Sequence, residues 1–446
     1  MSILSLKKFG VAFGDRIILR SIDLEVPDRG VFVLLGPAGT GKSTLLRTIC
    51  GINDAVSTLR VWGQANYLQD KLGSSEEYPM LVAQNARLMM ATVFENIVND
   101  LPERQTLTQL QQKKLAKRLL SRAGLNKLID KMDTPVVDLT LAAQRQLAIA
   151  RSASAKPKLL CIDEPTANLK DFESASLLKY IQQLGEQLAI ILVLHNQNQV
   201  REIGGQCALL AGGWIHECKN TKDFFSKPQN EITKGFIRTG SCPLPSADAK
   251  IEELDEHANL PTPPTIPKSA QNYVSDSFGP RSFLWLKKGL LAGTPRPGIV
   301  LDEKHDLKAL QRVGIKVLVS LTTKQFDPEL LKKYGIEGLW LKIPDMAAPK
   351  LEETVSMCKQ VFDRMSEGMP VAYHCKAGLG RTGTLLAAQL IWEGKTALDA
   401  LEAVRRIEPR WVQSEEQVAF LESFADFTAN SHNNLNINRK QQDISC

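Results

Sequence analysis

The stretch HCKAGLGRTG (residues 374–383) decides the reading of the back half of the chain. It follows the apolar run PVAY and precedes TLLAAQLIW, in which Leu385, Ala388 and Trp392 recur at i, i+3 and i+7. That order predicts a buried strand, a glycine-rich loop and a helix with one buried face. A helix N-terminus presents unpaired N–H groups and a favourable dipole to an anion. Glycines at 378, 380 and 383 let the backbone curl with those groups turned inward. Cys375, at the centre of that field, is expected as the attacking thiolate. Arg381 offers a planar fork for two phosphoryl oxygens, and Thr382 a hydroxyl that can bond the sulfur and help it leave. The plain alternative, a buried structural cysteine after a strand, does not account for Arg381 and the glycines.

The loop resembles the HCxxGxxR(S/T) signature of cysteine-dependent protein tyrosine phosphatases. The resemblance implies a phosphocysteine intermediate at Cys375 and no cofactor. It also implies a phosphate cradle from Lys376, Ala377, Gly378, Leu379 and Gly380. KIPDMAAP (342–349) supplies Asp345, 30 residues ahead of Cys375 (375 − 345), as the family's general acid. WVQSEEQ (411–417) is similar to the segment that positions the hydrolytic water, which points to Gln413 and, beyond it, Gln417. The likeness extends back to LLAGTPRPG (290–298). The domain is short, without the loops that deepen tyrosine-only pockets, and so looks more like the dual-specificity branch. A phosphoprotein substrate is expected, with phosphotyrosine first and phosphoserine or phosphothreonine after it. Lys376 resembles inositol-lipid phosphatases, whose loop reads CKAGKGRTG, but their second lysine is Leu379 here. A lipid substrate is therefore the alternative. Cys358 is read as a core cysteine on a helix rather than a redox partner of Cys375.

The front half has its own phosphate motif. GPAGTGKST comprises Gly36, Pro37, Ala38, Gly39, Thr40, Gly41, Lys42, Ser43 and Thr44, between the strand VFVLL and the helix start LLRTI. In this strand–loop–helix setting the motif is a P-loop. Its amides would cradle phosphates, Lys42 would reach the outer two and Ser43 would ligate magnesium. LLCIDEP (159–165) places Asp163 for the metal and Glu164 for an attacking water.

This half is similar to the ATPase subunits of ABC transporters over nearly all its length. The resemblance implies ATP with Mg2+ as cofactors, Gln84 in the glutamine loop as a further metal ligand, His195 as the switch histidine and Phe13 stacked on adenine. It also implies a head-to-tail homodimer and a membrane permease as partner, with FENI (94–97) in the permease-contacting segment. The LSGGQ signature is replaced by Leu139, Thr140, Leu141, Ala142 and Ala143. Both glycines are gone, and Leu141 would crowd the approach to the γ-phosphate. Lys170 and Asn196 stand where the family has acidic residues. ATP binding with slow or absent turnover is expected.

The 446 residues exceed one hydrophobic core, and a net charge of +6 without a basic block gives no nucleic-acid signal. The longest apolar run, AIILVL (189–194), falls short of the roughly 20 residues that cross a bilayer. MSILSLKKFG lacks a secretory core, and the eight cysteines form no CxxC pair. A cytoplasmic protein is expected, peripheral to the membrane if a permease holds it. The expected fold is α/β: a P-loop ABC-type domain (1–235), a proline-rich linker (236–282), a compact cysteine-phosphatase domain with a mostly parallel central sheet (283–430) and a disordered tail (431–446). The leading functional expectation is a phosphatase regulated or docked by an ATP-binding half; a transporter ATPase subunit with an accessory phosphatase is the alternative.

Overall fold

A computed structural model describes residues 2–74, 77–84, 92–99, 101–242, 244, 247, 261–267, 279–299 and 302–442, with side chains through 429. The chain divides into two compact units: Met1–Gly51 with Arg60–Tyr273, and Ile52–Leu59 with Val274–Cys446.

The first unit is built on a ten-stranded mixed sheet. Its strands are β1 (Ser2–Phe13), β2 (Arg16–Pro27), β3 (Gly30–Leu35), β4 (Leu59–Tyr67), β5 (Asp70–Lys71), β6 (Met80–Val82), β7 (Leu159–Asp163), β8 (Ala189–Val193), β9 (Gln206–Ala211) and β10 (Trp214–Asn220). The order is β5-β4-β1-β2-β10-β9-β3-β8-β7-β6. Strands β9, β3, β8, β7 and β6 run parallel, whereas β1–β2 and β9–β10 are antiparallel pairs. The parallel strands are covered on both faces, so they read as unbroken apolar runs rather than alternating ones. Every residue of β7 and β8 is buried. The P-loop leaves the end of β3 and feeds the helix Lys42–Ile49, while β7 and β8 end at Asp163 and Val193. The C-terminal edge of the parallel strands thus gathers the P-loop, Glu164 and His195.

In the second unit, five strands take the order β11-β12-β15-β13-β14. They are β11 (Leu284–Lys287), β12 (Leu291–Thr294), β13 (Val317–Ser320), β14 (Glu337–Trp340) and β15 (Val371–His374). All neighbours are parallel except β11–β12. Strand β15, the middle one, is buried throughout and delivers Cys375 at its C-terminal end. The helix Gly380–Trp392 follows the loop, as the spacing predicts. It does not, however, have a single buried face. Every position from Gly380 to Ile391 is buried, and Trp392 is the half-buried one. A helix that is apolar nearly all round belongs inside, and here it packs against β12, β15 and the helices Leu351–Ser366, Ala397–Ile407 and Glu415–Gln442.

The second unit takes in Ile52–Leu59, which the sequence reading kept in the first domain, and two helices run past its expected boundaries. The helix Glu231–Thr239 runs across position 235, because Ile232 and Phe236 pack onto the first core. Glu415–Gln442 is helical by backbone through most of the segment expected to be disordered; apolar anchors at Phe420, Leu421 and Phe424 start it and no breaker residue stops it. Cys358 lies fully buried on the helix Leu351–Ser366, and burial pushes its thiol upward, as suits a core cysteine.

Candidate active site

In the second unit the loop after β15 carries Cys375, 4% exposed, and the turn into the helix carries Arg381, 5% exposed. Gly378 has φ +75°, and a Cβ there would meet the Thr294–Pro295 backbone within 2.6–2.8 Å. Only glycine allows the loop to press so closely on the end of β12. The Trp411 indole donates to the Gly378 carbonyl at 2.9 Å; its ring occupies the space that a Cβ at Gly293 would need, and its Cβ and backbone the space a Cβ at Gly383 would need. Behind the thiol, His374 is wholly buried. Its Nδ1 lies 3.1 Å from the Cys375 carbonyl and its Nε2 2.6 Å from Ser320 Oγ. A carbonyl only accepts, so Nδ1–H donates to it and Nε2 accepts from the serine. Burial, then the nearby Arg296 and Arg381 cations, lower this imidazole to about 4, so it stays neutral.

Arg381 faces the acid loop. Its guanidinium bonds the carbonyls of Ile343 (2.9 Å) and Leu321 (3.4 Å) and pairs with Asp345 at 2.8 Å. The Asp345 side chain is itself 73% exposed, open to an incoming substrate. The segment carrying Gln413 braces that loop: Ser414 Oγ donates to Met346 O, Glu416 accepts from Ala348 N, and Gln417 reaches Ala347 O. Gln417 is fully buried and its amide oxygen accepts from Gln413 N and Ser414 N, a structural position. Both amides reach the loop's end: the Gln413 amide oxygen lies 3.1 Å, and the Gln417 amide 3.2 Å, from where a Gly380 Cβ would stand. The Thr382 hydroxyl is buried and has no hydrogen-bond partner in this state. Lys376 and Ala377 are exposed and Leu379 half-buried.

In the first unit Gly36 has φ +150°, and a Cβ there would sit 2.0 Å from Leu210 O. Lys42 Nζ folds over the loop onto Gly36 O (2.9 Å) and Pro37 O (2.7 Å). Thr40 Oγ1 bonds Pro37 O, and Ala38, Gly39, Gly41, Ser43 and Thr44 complete the turn into the helix. Burial lowers the Lys42 ammonium to about 8, against the opposing pull of Glu164 and Asp163. Asp163 is buried, Ser43 bonds its carboxylate, and its Oδ1 has no partner. Burial raises its affinity for a proton, which is the condition a cation would relieve. This donor set suits Mg2+. Glu164, at φ +46°, is held by Gln84 Nε2 at 3.1 Å and by His195 Nε2. Gln84, Glu164 and His195 therefore meet at one carboxylate. Phe13, half-buried, ends β1 at the hairpin into β2, whose Ile18 and Leu19 pack beside Gly41.

Residues 19–167 match the ABC transporter family, and residues 292–395 match a family described as polymorphic toxin system, DSP-PTPase phosphatase. The front half resembles ABC ATP-binding subunits and the back half a DSP-PTPase. The ABC match reaches from β2 through Glu164 and stops before His195; the phosphatase match includes Asp345, Cys375 and Arg381 and stops before Gln413. The phosphate import ATP-binding protein PstB of Saccharolobus solfataricus is 28% identical over 243 residues, 53% of this chain and 95% of that protein. PstB of Pyrococcus furiosus is 29% identical over 51% of this chain and 94% of that protein. The solved structure of CbiO1 from Clostridium perfringens, part of the ABC transporter complex CbiONQ, is 23% identical over 54% of this chain and 96% of that one, with a TM-score of 0.44.

Against the ABC pattern, the signature segment is closed on itself. Thr140 caps the helix Leu141–Ser154 by accepting from Ala143 N, and Gln144 bonds Leu139 O. Leu141 stands 45% exposed at the helix's first position, with Ala142 beside it. Lys170 and Asn196 are N-caps of the helices Asp171–Gly185 and Gln197–Ile203. Motif spacing missed Arg145, which donates to the carbonyls of Pro165 and Ala167 and ties this helix to the turn after Glu164. It also missed the Ser320–His374 pair and the Trp411 contact with the loop. Only the histidine of HCKAGLGRTG hinted at them.

Proposed function

We propose that the chain is a cysteine-dependent phosphatase acting on phosphoproteins, fused to an ABC-type domain that binds ATP and regulates or docks it. The observation that carries this reading is the Arg381–Asp345 ion pair, in a cleft whose lining includes Lys376, the residue after Cys375. The Cys375 thiolate attacks phosphorus and forms the S–P bond as the P–O bond to the substrate breaks. Asp345 gives its proton to the leaving oxygen. Arg381, turned from Asp345 to the phosphoryl oxygens, and the loop amides hold the transferring group. Asp345 then takes a proton from a water oriented by Gln413, that water attacks phosphorus, and Thr382 donates to the departing sulfur. Leu379 in place of a lysine favours phosphoprotein over inositol lipid.

ATP would lie on the P-loop with Lys42 at its outer phosphates, Mg2+ on Ser43, Asp163 and Gln84, and adenine against Phe13. The metal-bound nucleotide supplies charge neutralisation and a scissile phosphoanhydride; Glu164 stays poised by Gln84 and His195. The eroded signature segment supports binding without brisk turnover, in a homodimer built through this domain. The second reading, an ATPase subunit seated on a membrane permease at the cytoplasmic face, is favoured by the length match to PstB. No described helix is long and apolar enough to cross a membrane.

Phosphate release from a phosphotyrosine peptide by the full chain, with Cys375→Ser as blank, tests the main reading. Release that vanishes in Cys375→Ser is expected; release unaffected by it would refute the assignment. A rate that changes with ATP and Mg2+ marks the front half as regulatory, and an unchanged rate with a co-purifying permease favours the second reading.

A further inference from the structure

We propose that the cleft beside Cys375 contains a second anion subsite, and that the preferred substrate is a phosphopeptide bearing another phosphate or carboxylate close to the hydrolysed group. This rests on the phosphatase reading above.

The cleft encloses about 480 Å3 and is lined by Arg296, Lys324, Lys376, Arg381, Glu303 and Asp345 among others. That volume is in the range that buries whole ligands, roughly 300–1,000 Å3, and far exceeds one phosphate. Arg381 is compensated by Asp345. Among the described residues Arg296, Lys324 and Lys376 have no carboxylate partner, which leaves three cations against one remaining acid, Glu303. A single phosphate bound by Arg381 and the loop amides would still leave Arg296 and Lys324 lining the cleft as unused donors. A second anion would meet them.

Arg296 is the best placed of the three. Its backbone N–H donates to the Lys376 carbonyl at 3.2 Å, which fixes it to the phosphate loop. Its guanidinium lies 5.5 Å from the centre of the Phe326 ring, and that ring packs edge-on against buried His374. The side chain is thus half-buried on an aromatic wall, with its donors free for a fork-like contact to phosphate or carboxylate. It also helps Arg381 keep His374 neutral, which places both cations within electrostatic reach of the same imidazole. Lys324, in the turn after Thr322 and Thr323, faces the same space. Exposed Ile299 contributes apolar surface; a peptide side chain can cover it, whereas an inositol headgroup presents only hydroxyls and phosphates.

The test compares kcat/KM of the full chain on three probes: a phosphotyrosine peptide flanked by alanines, the same peptide with glutamate or phosphoserine neighbours, and a soluble inositol bisphosphate lipid. The acidic peptide is expected to be about tenfold better than the neutral one, the scale of one net charged hydrogen bond. Arg296→Gln with Lys324→Gln should erase most of that ratio while changing the neutral peptide far less. Equal rates on the two peptides would overturn the subsite, as would a preference that survives both substitutions. Fastest turnover of the inositol lipid would overturn the peptide in favour of a lipid headgroup. No release from any probe, with Cys375→Ser identical, would refute the phosphatase reading itself and this inference with it.

Discussion

Arg381 reaches out of the buried loop to hold the Asp345 carboxylate at 2.8 Å, although 73% of the aspartate side chain is open to solvent. The same guanidinium is needed by the substrate phosphate, so substrate entry must loosen this pair and leave the carboxyl group beside the leaving oxygen. Asp345→Ala is expected to lower kcat about 100-fold or more on phosphotyrosine, whose leaving group needs a proton. On p-nitrophenyl phosphate, whose leaving group needs none, the loss should be much smaller. Equal losses on both substrates would assign Asp345 to positioning Arg381 instead.

His374 links acidity to stability. In the folded chain its imidazole is held to about 4 by burial, while the unfolded one protonates near 6.5. Between these values the unfolded state binds more protons, so stability falls as pH drops from 6.5 and levels off below 4. The gap corresponds to about 3 kcal/mol. Urea-dependent hydrogen exchange in peptides spanning Val371–His374 should reveal this acid weakening, and His374→Gln should remove most of it. An identical pH profile in the variant would place the acid sensitivity elsewhere.

Trp411→Phe deletes the indole N–H that meets the Gly378 carbonyl. A buried acceptor left without a donor costs about 1–2 kcal/mol. Vanadate, a phosphate mimic, should also bind more weakly because the loop loses its brace. Unchanged vanadate affinity with reduced stability would limit Trp411 to a packing role.

The segment Leu139–Ala143 predicts the ATP behaviour of the front half. The full chain should bind ATP with Mg2+ and hydrolyse it slowly. Leu141→Gly with Ala142→Gly, by freeing backbone amides at that helix start, should raise turnover, and Glu164→Gln should abolish the gain. Brisk, Glu164-dependent hydrolysis in the unaltered chain would mean that Leu141 does not obstruct the site.

The local geometry of both loops could be read from the sequence because phosphate chemistry constrains short contiguous segments. HCKAGLGRTG and GPAGTGKST each compress a strand end, a turn and a helix start into about ten residues, so one string reports local geometry. The resemblance singled out Asp345 as the general acid, and the structure pairs that residue with Arg381. What remained hidden depends on contacts between distant segments. The bond from Ser320 to His374 spans 54 residues and that from Trp411 to Gly378 spans 33; neither leaves a spacing signature. The helix Gly380–Trp392 misled for a related reason. Periodicity marks which face is most apolar, whereas burial all round depends on how many partners the fold stacks against it.

The ring of Trp411 fills the space that a side chain at Gly293 would take and pins the carbonyl of Gly378, while its Cβ and backbone crowd Gly383. These four positions lie on three separate segments of the chain, yet none can change freely while the others stay. Across descendants of this sequence Trp411 and Gly293 should drift together. A lineage that trades the tryptophan for a smaller residue would gain room for a side chain at 293, whereas 383 would stay glycine because the backbone of 411 and 412 still crowds it. The phosphate loop would then carry an inherited memory of its bracing residue, written in a glycine far from it in sequence.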